Sequence, residues 1–142
     1  MGPYRQFSGE QRAKVGAYLL AEFRAGRLVR PKSCIGCGAD RGLIDAHNED
    51  YDRPDEYVGL CIRCHLMLHC RFRNRDAWDR YRAMLRDGAV FPPLYSRSFG
   101  PIAHLLNVLG ERQVEMGAAV VMRSGPPLGK PRGEGYLDTI RD

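Results

Sequence analysis

Four cysteines set the tightest constraint on this chain. They fall in two pairs, Cys34 and Cys37 in CIGC, then Cys61 and Cys64 in CIRC. A C-x-x-C spacing on a tight turn lets both sulfurs reach one ion. Two such pairs complete the tetrahedral four-thiolate shell of a structural zinc (Zn2+) site. The 23 residues between Cys37 and Cys61 form a longer gap than in many zinc ribbons. Redox chemistry or unligated core thiols are the competing readings, and the presence of two pairs argues against both. The fifth cysteine, Cys70, reads as a buried or idle thiol, with a replacement ligand as its alternative.

An odd cysteine count with two such pairs suits a reducing compartment better than a disulfide framework. The opening MGPYRQFSGEQR has no apolar segment of the kind a signal peptide carries. The apolar runs HLLNVLG and GAAVVM are too short to span a bilayer. The expectation is a cytoplasmic chain with no membrane partner. Its 142 residues suit one domain with a tail. Lys and Arg total 22 against 17 acidic residues, giving a net charge of +5, which suits a polyanionic partner.

The pattern around the cysteines predicts a mixed α+β chain. Ser8 reads as a helix N-cap with Gln11 three residues on, as in a capping box. Val15, Leu19 and Phe23, with Tyr18 beside them, mark one helical face, and Gly26 a stop. GLIDAH and VGLC read as short strands, separated by the polar loop NEDYDRPDEY. HLMLHCRF reads as helical, and a further helix is expected from Asn74 to Asp87, with Trp78, Tyr81 and Leu85 on its apolar face. Pro92-Pro93 enforces a loop. IAHLLNVLGE, containing His104, reads as a last short helix. The expected organisation is an N-terminal helix packing on the core (1–30), a zinc module (31–73), C-terminal helices (74–110) and a flexible Gly/Pro-rich tail (111–142).

Three of the four histidines lie in the zinc module. His65 and His69 stand at i and i+4, so a helix puts them on one face, where they can grip a single ion. His47 comes from the strand before them. Three imidazoles with open coordination positions make a catalytic style of metal site, distinct from a closed structural one. The alternative is three ordinary polar residues beside the zinc knuckles.

The runs CIGCG, IDAHNEDYDRP and VGLCIRCHLMLH resemble the HNH endonuclease family, in its small zinc-bearing branch. The resemblance covers Cys34 to His69, about a quarter of the chain. It implies a zinc-braced ββα-metal core of treble-clef type with flanking helices. Position by position, His47 matches the hairpin metal ligand, His65 and His69 the helix ligands, and the four cysteines the bracing zinc. The second metal would be Mg2+, Mn2+, Ni2+ or Zn2+. In the family the residue after the hairpin ligand is a histidine that takes a proton from the attacking water, while the metal stabilises the phosphate. Here that residue is Asn48.

An amide can orient water but cannot take up its proton near neutral pH. Losing a positioned base costs roughly 10²–10⁴-fold in rate. Three readings follow. The first is an HNH-like protein that binds DNA, double-stranded in the family pattern, with weakened or absent nuclease activity. The second is an active metal-dependent HNH endonuclease. The third is a zinc-stabilised protein-interaction module. If the hairpin is regular, Glu49 points away from Asn48, because neighbours in a strand alternate faces. Arg71 and Arg73 follow the metal ligands, and Arg75, Arg82 and Arg86 fall in one helical stripe, so these five are the expected phosphate contacts. A solvated helix face offset by Asp76 and Asp79 is the plainer alternative. No heptad pattern announces a dimer interface.

Overall fold

The computed structural model describes residues 1–97 and 127–141. Helix α1 covers Gly9–Ala25. The Ser8 side chain accepts from the Gln11 backbone N–H at 3.1 Å, satisfying one of the donors a helix start leaves open. Gly26 ends the helix at φ 74°, the left-handed conformation that costs a glycine little. Strands β1 (Ile44–His47) and β2 (Val58–Cys61) pair antiparallel, with Ile44 opposite Cys61 and His47 opposite Val58. Helix α2 (Ile62–Cys70) starts directly where β2 ends. Helix α3 (Arg75–Arg86) follows, capped by Asn74, and a single turn, α4 (Tyr136–Thr139), closes the described chain. The result is a mixed α+β fold with a two-stranded sheet and a cluster of four cysteines able to hold a metal ion. Among the described residues no helix is long and apolar enough to cross a membrane.

The core lies between the hairpin, α2 and α3. Leu60, Met67, Leu68, Ala77, Trp78, Tyr81, Leu85 and Leu137 pack there together with Cys34, Cys61 and Cys64. Trp78, Tyr81 and Leu85 are the face that the 3.6-residue period picked out in α3. Gly59 permits the close approach of the first cysteine turn to β2. A Cβ there would sit 2.2 Å from the Ser33 carbonyl oxygen, and the Gly59 carbonyl accepts from the Ile35 N–H at 2.8 Å.

Helix α1 buries Val15 and Leu19, and its polar side chains tie it to the loop between the strands: Gln11 donates to Asp52 at 2.8 Å, Arg12 to the Tyr51 hydroxyl at 3.2 Å, and Tyr18 to Asp55 at 2.6 Å. One expectation from the sequence changes. Residues 127–141, read as a mobile tail from their glycines and prolines, lie against α3 instead. The Arg132 guanidinium donates to the Ala89 carbonyl at 2.8 Å, Leu137 enters the core, and Asp138 pairs with Arg82 and Arg86. One leucine and one carboxylate supply what the surrounding Gly/Pro composition lacks. The short helix expected over IAHLLNVLGE, with His104, lies outside the described residues.

Candidate metal centres and the adjoining cleft

The four cysteines are brought together by the first knuckle and by the β2–α2 junction. Their sulfurs all lie within 4.8 Å of one another, with Cys37 Sγ 3.8 Å from Cys61 Sγ. Cys61 is both the last residue of β2 and the N-cap of α2, and its sulfur accepts from the Cys64 N–H at 3.4 Å. A helix N-terminus favours a thiolate at that position. Tyr81 O and Cys64 Sγ lie 3.0 Å apart in the core. Hydrogen bonds from the neighbouring thiols, Cys37 first, hold the Cys34 thiol well below its ordinary range, and bonding to Cys34 holds Cys61 and Cys64 above theirs. Four sulfurs this close cannot all ionise unaided; a cation among them removes the conflict. Cys70 is buried on α2 outside this group, with the Arg73 guanidinium 4.0 Å from its sulfur.

The second group joins the two secondary-structure types. His47 ends β1, while His65 and His69 project one turn apart from α2, and their ligand-capable nitrogens lie within 4.8 Å of one another. His47 Nδ1 stands 3.3 Å from His65 Nε2. The far nitrogen of each ring meets a carboxylate: His47 Nε2 lies 2.7 Å from Glu49 Oε1, and His65 Nδ1 lies 2.7 Å from Asp45 Oδ2. Burial works against charge on both acids. For Asp45, hydrogen bonds with Arg97 and His65 outweigh burial; for Glu49, those with His47 and Tyr4 do. Both carboxyls therefore sit below their usual range and are ionised at neutral pH. Burial, followed by the positive fields of His65 and His47, pushes the His69 imidazolium down to about 3. Burial lowers His47 as well. Both rings are therefore neutral at pH 7, the form that ligates metal.

The Asn48 amide is buried, and its Nδ2 donates to the Pro54 carbonyl at 3.0 Å. It braces the loop between the strands. Asp50 is a turn residue: its Oδ1 accepts from the Asp52 N–H at 2.9 Å.

The N-terminal turn covers one side of the histidines. Tyr4 is 3% exposed, its ring centre is 4.7 Å from that of His69, and its hydroxyl donates to Glu49. On another side opens a cleft of about 440 Å³ lined by Arg12, Asp45, Ile62, His65, Leu66, His69 and Arg97. Arg97 pairs with Asp45 in a two-pronged contact.

The arginines expected to meet phosphate divide by environment. Arg71 is 2% exposed: it donates to the Leu68 carbonyl at 2.7 Å, lies 3.5 Å from Glu49, and stacks over the Tyr4 and Phe72 rings. It is an internal brace of the histidine site, not a surface contact. Arg82 and Arg86 share Asp138 at 3.3 and 2.5 Å, and Arg82 also pairs with Asp79. Arg73 and Arg75 remain on the surface, Arg75 within 3.5 Å of Asp79.

Tyr4, Arg12, Asp45 and Arg97 were not singled out from the sequence, and Glu49 was considered there only for its facing relative to Asn48. Asp45 and His47 alternate along β1, so period-two alternation already places Asp45 on the ligand face, while Glu49 follows two residues on, beyond the end of the strand. The other three come from outside the motif, where no spacing points to them.

No protein-family model matches this chain, and neither does any curated protein or solved structure.

Proposed function

We propose that this chain is an HNH-like DNA-binding protein with slowed metal-dependent phosphodiester hydrolysis. Zinc in the cysteine cluster braces its fold, and a second divalent ion sits on His47, His65 and His69. The convergence of three imidazoles from strand and helix, two of them lining a cleft that also presents Arg12 and Arg97, carries this reading. For the cysteines, the support is geometric. A tetrahedral ion with metal–sulfur bonds of about 2.3 Å requires sulfurs about 3.8 Å apart, and Cys37 and Cys61 stand at that separation.

A divalent ion at the histidines would supply positive charge to a phosphodiester undergoing attack. The chain's own residues set the rest. Arg12 offers a further cation to a phosphate in the cleft, and the surface arginines Arg73 and Arg75 extend the contact without reading sequence. Asn48 cannot accept a proton from water, so the hydrolytic step lacks its base. Yet Asn48 Nδ2 is as many bonds from Cα as a histidine Nδ1. A histidine at 48 can keep the bond to the Pro54 carbonyl and still present its Nε2 as a base.

The test is supercoiled-plasmid nicking with Mg2+, Mn2+ or Ni2+, comparing wild type, Asn48→His and His69→Ala. Slow nicking by wild type, roughly 10²–10⁴-fold faster nicking by Asn48→His, and none by His69→Ala is the expected pattern. Equal rates for wild type and Asn48→His would instead identify an unimpaired endonuclease. No salt-dependent DNA affinity in any of the three would leave a zinc-stabilised interaction module.

A further inference from the structure

The two acids flanking His47 make contacts whose consequence follows from hydrogen-bond chemistry. An ionised carboxylate only accepts. Glu49 therefore requires a proton on His47 Nε2, and Asp45 requires one on His65 Nδ1, at 2.7 Å each. An imidazole in the form that ligates a metal is neutral and carries one N–H. The remaining nitrogens, His47 Nδ1 and His65 Nε2, must then both present lone pairs, and these are the two atoms 3.3 Å apart. Neither can donate to the other. Such a pair is unfavourable alone and becomes favourable with a cation between or beside it.

We infer that Asp45 and Glu49 are positioning residues: they commit His65 and His47 to opposite tautomers, so that both lone pairs converge on one point. The assignment rests on the second-metal reading for its purpose, but not for its structure. Glu49 is itself fixed by three residues. Tyr4 donates to it from the N-terminal turn, Arg5 pairs with it at 3.2 Å, and Arg71 approaches from the end of α2 at 3.5 Å. Asp45 is held on its other side by Arg97. The preference is thus built into a network reaching from residue 4 to residue 97, well beyond the strand and helix that carry the ligands.

Histidine ligands in metal sites commonly have an outer carboxylate partner, and its loss typically weakens metal binding 10–100-fold. Two measurements test the assignment. The first is long-range 1H–15N correlation of the imidazoles in full-length protein carrying one equivalent of zinc. We expect His47 protonated at Nε2 and His65 at Nδ1. We also expect Glu49→Gln to keep the His47 pattern, because its amide oxygen still accepts, and Glu49→Ala to lose it. The opposite tautomer at either ring, or an unchanged His47 pattern in Glu49→Ala, overturns the inference. The second is Co2+ titration of the same zinc-loaded proteins, read by visible absorption. A roughly 10–100-fold weaker second site in Asp45→Ala and Glu49→Ala, restored by Glu49→Gln, supports it; unchanged affinity overturns the positioning role. If wild type takes up no Co2+ beyond the cysteine site, the metal reading falls, and the tautomer spectra alone decide the inference.

Discussion

The side-chain amide of Asn48 donates to the carbonyl of Pro54 at 3.0 Å, closing the loop that joins the two strands. The residue in the proton-acceptor position of the HNH pattern is thus a structural tie here. Removing it in Asn48→Ala leaves the Pro54 carbonyl without this donor and opens space in a buried site. A loss of about 1–3 kcal/mol is expected, measured by urea unfolding. Asn48→His retains a donor at the same bond distance and loses less.

The cysteine cluster joins three pieces of backbone, since Cys61 serves at once as strand end, helix cap and candidate ligand. Cys64 is fully buried, so its replacement cannot be compensated by water. Metal analysis of purified wild type should find one tightly bound ion per chain, and Cys64→Ser should retain none. Because a structural zinc site contributes on the order of 10 kcal/mol, strong chelators should abolish the α2 and α3 circular-dichroism signal. A chelated protein with unchanged helicity would show that the cluster does not brace the fold.

Acid sensitivity follows from His69. Its folded-state pKa of about 3 lies below the ordinary value of 6.5. Between these values the unfolded chain binds a proton that the folded chain refuses. Unfolding free energy therefore falls as pH drops from about 6.5 towards 3, and is flat with respect to this group above 6.5. Urea midpoints measured across that range, without added divalent metal, should decline less steeply for His69→Gln than for wild type. His47 shifts in the same direction, so the slope should shrink without vanishing.

Asp138 pairs with Arg82 and Arg86, two of the three α3 arginines expected from the sequence to form a phosphate stripe. Asp138→Asn keeps an acceptor for the Gly135 N–H, which Asp138 Oδ2 now takes at 3.0 Å, but removes the charge facing Arg82 and Arg86. On the proposed DNA-binding reading, affinity should rise, and the dependence of log K on log salt should steepen by up to about two contacts' worth, roughly 0.9 each. An unchanged slope would exclude Arg82 and Arg86 from the DNA contact. Arg71→Ala, by contrast, should lower stability more than affinity, because its guanidinium is internal.

What could be read from residues alone was the chemistry that acts over a few positions. The Ser8 cap, the Gly26 stop and the Asn74 cap set helix ends because they satisfy backbone groups within one turn. The spacing of Trp78, Tyr81 and Leu85 marked the buried face of α3, and the cysteine and histidine intervals marked both groups that could hold a metal ion. Alternation along β1 also placed Asp45 on the face of His47. The fate of each arginine was not local. Whether Arg71 or Arg73 faces solvent, and whether Arg82 and Arg86 are free, depends on Tyr4, Glu49 and Asp138, which chain closure brings from far along the sequence. Leu137 likewise anchors a segment whose composition reads as a tail. Burial and charge pairing are properties of surfaces that meet only in three dimensions, and no periodicity in the chain encodes which surfaces those will be.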